Sequence, residues 1–162
     1  MLSIVSDIVV LAVAALLLWI AYVDFQKLRI TNQSVLILLA AYLVWAAMNA
    51  FQGVVMDVVA GLILFLIGLV MWLMRAMGAG DVKLYFAVGL FVGFHYLLVY
   101  ASFLIVVSFC FFALLMLARR FQWQGNTGTR LTEIAVSGRA PYAIPIVSAA
   151  IPTILMRAFS GY

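Results

Sequence analysis

The chain has 162 residues, 69% hydrophobic and 9% charged, where a soluble domain runs nearer ~45–50% and ~25%. It cannot cover itself with a water-compatible surface. A soluble enzyme, a disordered tail and a nucleic-acid-binding module are therefore excluded together, leaving an all-α polytopic membrane protein. The single cysteine, Cys110, excludes an internal disulfide and a cysteine-based metal site, and the net charge of +4 is read as a topology signal.

At ~20 apolar residues per crossing, the chain divides into six spans forming one bundle, a single domain over 1–162. The first span is 4–23, closed by the polar stretch 24–33. The second is 34–51, and a short Gln52-Gly53 turn leads to the third, 54–74. A glycine-bearing loop, 75–81, follows. From Val82 to Ala118 there are 37 residues whose only charge is Lys83. A single helix of that length would measure ~55 Å, nearly twice the bilayer core, so it must fold back. Gly93-Phe-His-Tyr96 is the plausible turn, giving spans 82–94 and 97–118. The polar segment 119–141 precedes the last span, 142–157. The first span is not a removable signal peptide, because Asp7 precedes its core and no Lys or Arg does.

Eight of the nine positive residues fall in the loops after spans one, three and five: Lys27, Arg29, Arg75, Lys83, Arg119, Arg120, Arg130 and Arg139. Only Arg157 falls on the other side. The positive-inside rule makes the first side cytoplasmic, with both termini outside. Gly53, Gly61 and Gly68 in span three, and the Gly89/Gly93 pair in span four, read as close helix packing.

The polar residues are few enough to weigh singly. Asp7 and Asp57 are expected to open helices at the outer face, where the helix dipole accounts for a carboxylate. Glu133 reads as a solvated charge, and His95 as an outer turn residue. Cys110, with no base beside it, reads as buried packing. Asp24 ends span one and Asp81 opens span four, both at the cytoplasmic membrane edge, where an ionisable residue is a functional candidate by default. Two carboxylates brought together share one proton; one serves as base toward water while the other polarises a carbonyl. The helix dipoles favour Asp81 as base and Asp24 as acid, whereas Lys27 and Arg29 bias Asp24 the other way. Lys83 could act likewise on Asp81 or simply mark the edge. Gly78 and Gly80, just before Asp81, are expected to let the backbone turn sharply and a substrate strand approach.

Three stretches carry a family resemblance: Asp24-Phe-Gln-Lys-Leu-Arg-Ile-Thr-Asn32, Gly78-Ala-Gly-Asp-Val-Lys-Leu84 and Pro141-Tyr-Ala-Ile-Pro145. The sequence resembles the type IV prepilin peptidases, GxGD membrane aspartic peptidases, along its whole length. The resemblance implies Asp24 and Asp81 as the catalytic pair. Gly78, Gly80, Lys83, Arg29, Asn32 and Pro145 are then substrate-binding or active-site support. The family often has Ile-Pro-Asn where this chain has Ile30-Thr31-Asn32. Larger members carry an N-terminal cysteine-bearing domain and N-methylate the new terminus. This chain resembles the small branch serving tight-adherence (Flp-type) pili, and methylation is not expected of it. The implied partners are prepilins and pseudopilins with a glycine before the cleavage site, together with the lipid bilayer. No metal or cofactor and no nucleic acid are implied, and homo-oligomerisation is left open. The implied location is the bacterial inner membrane, with the active site at its cytoplasmic face. Rival readings are a presenilin-like protease, since Tyr22-Val-Asp24 approximates a Tyr-Asp pair, a small transporter, and a pilus-assembly subunit. The mid-span positions are empty of charge, which speaks against a transporter relay.

Overall fold

A computed structural model describes residues 2–121, 126–137 and 140–160; Arg139 lies outside them. Seven helices run in chain order: α1 (Leu2–Lys27), α2 (Asn32–Met48), α3 (Val54–Leu73), α4 (Ala79–Val92), α5 (Leu97–Phe121), α6 (Asn126–Ser137) and α7 (Ala143–Phe159). No strand occurs among the described residues. Val5–Lys27, Val54–Leu73 and Phe94–Phe121 are long and apolar enough to cross a membrane, while α2 and α7 are shorter apolar helices. Leu11, Leu18, Leu66, Ile105 and Phe109 are exposed on the outside of the bundle. That arrangement suits lipid rather than water.

The helices sit close to the spans read from the sequence, with boundary corrections that matter at both acids. The stretch 24–33 is not all loop, because α1 continues to Lys27 and carries Asp24 in its last turns. Likewise α4 begins at Ala79, so Asp81 lies in its first turn. Helix α2 begins at Asn32 because Thr31 caps it: the backbone there is extended, and the Thr31 hydroxyl accepts the Ser34 N–H at 3.2 Å. The fold-back between α4 and α5 is a 3₁₀ turn over Phe94–Tyr96, as the excess length required. Gly93 before it has φ +70°, a left-handed conformation that side chains resist.

The segment 119–141, expected to be a polar loop, contains α6. Its Leu131, Ile134 and Ala135 recur at helical spacing and pack with Phe111 and Leu115 of α5, Phe25 of α1 and Ile144 of α7. A polar helix with one apolar stripe lies on the end of the bundle.

Helix α4 is the most buried element, with every residue from Ala87 to Val92 inside. It packs against α3, α2 and α7, and α7 in turn packs against α1 and α5. The glycine reading holds for Gly61, Gly68 and Gly89. A Cβ on Gly89 would lie 2.6 Å from the Gly61 Cα, so α3 and α4 touch backbone to backbone. Gly53 does other work, opening α3 as a left-handed cap with open space around it.

Candidate functional site

Asp24 and Asp81 come from helices far apart in sequence and are both buried, 5% and 8% exposed. Each is held by backbone. The Asp24 Oδ2 accepts the N–H of Ala143, the first residue of α7, at 3.3 Å. The first turn of a helix has N–H groups without intrahelical partners and a positive dipole end, both suited to a carboxylate. The Asp81 Oδ2 accepts the Gly78 N–H at 3.2 Å, closing the first turn of α4 on itself. Its other oxygen, Oδ1, is buried with no hydrogen-bond partner among the described residues. Asp81 precedes the apolar stretch that begins at Val82. Its carboxyl is raised above the ordinary carboxylate range, first by burial and next by the nearby charge of Asp24. The two acids are thus electrostatic neighbours. The phenols of Tyr85, one turn along α4, and Tyr142, beside Ala143, also feel the charge of Asp81.

The end of α1 is clamped from outside. Arg130 of α6 donates from Nε to the Phe25 carbonyl at 3.3 Å and from Nη2 to the Gln26 carbonyl at 2.6 Å. These are among the last carbonyls of α1, which lack intrahelical partners, and a cation there also meets the negative end of the dipole. Glu133 holds the same guanidinium at 3.1 Å. Asp24 is therefore held by α7 through its side chain, while α6 grips the two residues of α1 that follow it.

The other sequence candidates divide. Gly78 caps α4 with φ −76°, a conformation open to any residue, so it is not needed there for a sharp turn. What it supplies is room: a Cβ would lie 3.0 Å from the Asp81 Oδ2. Gly80 gives room to Ile30, whose Cβ would lie 3.0 Å from an added methyl, so the α1–α2 connection closes directly onto α4. Pro145 is buried in the first turn of α7, two residues after Ala143. Lys83 and Asn32 are brought together, Nζ to Oδ1 at 2.9 Å, but both are exposed. Lys83 lies about 200° around the helix from Asp81, at ~100° per residue. Arg29 is exposed on the α1–α2 connection.

Two expectations about the remaining polar residues need correction. Asp7 does not open a helix, since α1 starts at Leu2, and Cys110 is exposed on the bundle surface rather than packed inside. Asp57 does open α3, but its role exceeds a dipole contact. Both of its oxygens lie 2.8 Å from Nη2 of Arg157, and Oδ2 also accepts the Tyr42 hydroxyl at 2.8 Å. Arg157 further donates to the carbonyls of Leu90 and Phe91 and lies 4.8 Å from the Trp45 ring centroid. This cluster ties α2, α3, α4 and α7 together at the end of the bundle remote from Asp81.

Sequence reasoning missed Arg130, Ala143 and the Asp57–Arg157 pair. Arg130 sits 105 residues from its partner, and no spacing rule bridges that distance. A signal did exist for Ala143: Pro141 just before an apolar run marks a helix start, and helix starts bind carboxylates.

No curated protein and no solved structure matches the chain. A family model does, that of the type IV leader peptidase family, over residues 11–122. The match runs from Leu11, within α1, through α5, includes Asp24 and Asp81, and stops short of α6 and α7. It spans more than half the chain, and on that ground the protein belongs to the type IV leader peptidase family.

Proposed function

We propose that this protein is an aspartic endopeptidase that removes the short basic leader from prepilins and pseudopilins at the cytoplasmic face of the bacterial inner membrane. The observation that carries the reading is the pair Asp24 and Asp81. They are two buried acids on separate helices, electrostatically coupled, and unlike the buried Asp57, which is paired with Arg157, neither has a cationic partner among the described residues. Family membership supplies the peptidase class and prepilins as the general substrate. The basic loops on the side of Asp24 and Asp81 support the cytoplasmic placement.

The hydrogen bonds favour a division of labour opposite to the one the dipoles of α1 and α4 suggest. Asp24 accepts the Ala143 N–H at the N-terminus of α7, which offsets part of the cost of keeping this buried acid ionised. Asp81, with one oxygen unpartnered and its carboxyl raised, is suited to hold the shared proton. Asp24 then takes a proton from water as the water oxygen bonds to the scissile carbonyl carbon, while Asp81 gives its proton to the carbonyl oxygen. As the tetrahedral intermediate collapses, the C–N bond breaks. The amine leaves with the proton held by Asp24, and the hydroxyl proton returns to Asp81. The two acids titrate as a unit, so a pH–rate profile describes the pair.

The test is leader cleavage by purified protein. Asp24→Asn and Asp81→Asn should each abolish cleavage while the protein still inserts, and Asp7→Asn should cleave normally. Wild-type cleavage by either of the first two variants refutes the reading.

A further inference from the structure

Helices α2 and α3 are joined by a short turn, yet they splay apart over α4 and leave a groove of about 550 Å³ on the outside of the bundle. Its walls are apolar: Leu36 and Leu39 from α2, Leu62 and Phe65 from α3, with Phe86 of α4 as the floor. Its mouth is polar, formed by Lys83 and Asn32 at the first turns of α4 and α2. From Asn32 to Leu39 the groove runs ~10 Å inward along α2, at ~1.5 Å per residue.

The charge at the mouth is uncompensated. Lys83 donates to a neutral amide oxygen, and no carboxylate pairs with it among the described residues. The groove also faces away from the acids. Lys83 and Phe86 lie on one side of α4, whereas Asp81 and Tyr85 lie on the other, so a chain seated here does not run into the Asp24–Asp81 pair. An apolar slot about two-thirds of a leaflet deep, opening to lipid and ending at unpaired positive charge, matches a phospholipid with net negative charge. Basic pockets between membrane helices bind anionic headgroups in this way.

We propose that the α2–α3–α4 groove seats one acyl chain of an anionic phospholipid, with the headgroup phosphate taken by Lys83. The phosphate joins Asn32 as a partner of the ammonium, and the glycerol end of the acyl chain lies between Leu36 and Phe86. This inference requires only that the bundle lies in a bilayer, and it stands apart from the peptidase chemistry.

The experiment titrates the purified full chain with dioleoyl phosphatidylglycerol or dioleoyl phosphatidylcholine and counts retained lipid by native mass spectrometry. Wild type should hold the first lipid about fivefold more tightly, equivalent to the ~1 kcal/mol that one cation near an anionic surface contributes. Lys83→Gln should bring the two lipids to parity, while Arg120→Gln, at the end of α5, should keep the preference. Leu36→Trp, which fills the slot, should weaken both lipids alike. Glycerol phosphate should not compete with the phosphatidylglycerol. Equal retention by wild type, an unchanged preference in Lys83→Gln, unchanged binding in Leu36→Trp, or competition by glycerol phosphate would each overturn the proposal.

Discussion

Removing the acid of the Asp57–Arg157 pair is the perturbation with the clearest expected cost. Asp57 is 2% exposed and meets Arg157 and Tyr42, each at 2.8 Å. Asp57→Asn keeps the shape but takes away the charge, leaving a guanidinium inside the bundle without its counter-charge. Breaking a buried pair from one side costs ~3–5 kcal/mol. For a chain of this size each kcal/mol moves the melting temperature by ~2–4 °C, so a loss of ~6–20 °C is expected. Replacing both partners, Asp57→Asn with Arg157→Met, should cost less than the two single changes added together, because the orphaned charge goes too. Thermal unfolding of purified protein, followed by tryptophan fluorescence, measures all three variants. Arg157 meets α4 at Leu90, about 14 Å along the helix from Asp81 at ~1.5 Å per residue. Cleavage per folded molecule should therefore stay normal below the melting point. A melting temperature within ~2 °C of wild type for Asp57→Asn would refute the reasoning.

Arg130→Gln removes both bonds to the end of α1 and should lower kcat for leader cleavage at least about tenfold with KM unchanged, since small misplacements of a reacting group are costly. Glu133→Gln, which leaves those bonds in place, should stay within about twofold; steady-state kinetics on the two variants decides. Gly89→Ala would put a methyl 2.6 Å from the Gly61 backbone and should cost ~1–3 kcal/mol in the same melting assay. Gly80→Ala meets Ile30 at 3.0 Å from its Cβ and 3.5 Å from its carbonyl oxygen, looser than the Gly89 contact, and should cost less. For topology, a cysteine at Thr129 should react with a charged thiol reagent only from the cytoplasm, and one at Gln52 only from outside. The native Cys110 should be silent because lipid covers the surface on which it lies.

Much of the fold was legible because the bilayer imposes simple arithmetic. The run 82–118 was too long for one crossing, and the turn fell at Gly93–Tyr96 as its composition suggested. Gly61 and Gly89 announced the close α3–α4 contact through residue size alone. Asp24 and Asp81 stood out because a carboxylate at a membrane edge needs a reason. What stayed hidden depended on contacts between segments remote in sequence. The guanidinium of Arg130 and the carbonyls of α1, Arg157 and Asp57, and the Ala143 N–H and Asp24 meet only once the bundle is assembled. Helix α6 was missed for a different reason. Its polar composition concealed a three-residue apolar stripe, Leu131, Ile134 and Ala135, that a periodicity count would have found. Lys83 and Asn32 carried the expected chemistry types, but helical geometry turns them away from Asp81.

The central claim is that Asp24 and Asp81 act as one catalytic unit. Its most direct test compares single-turnover leader cleavage by Asp24→Asn, Asp81→Asn and the double variant, all purified and shown to be folded. Groups that act together are not additive when removed. The account predicts that both single variants fall to the same residual rate as the double variant. A double variant far slower than either single one, or a single variant that cleaves at the wild-type rate, would contradict it.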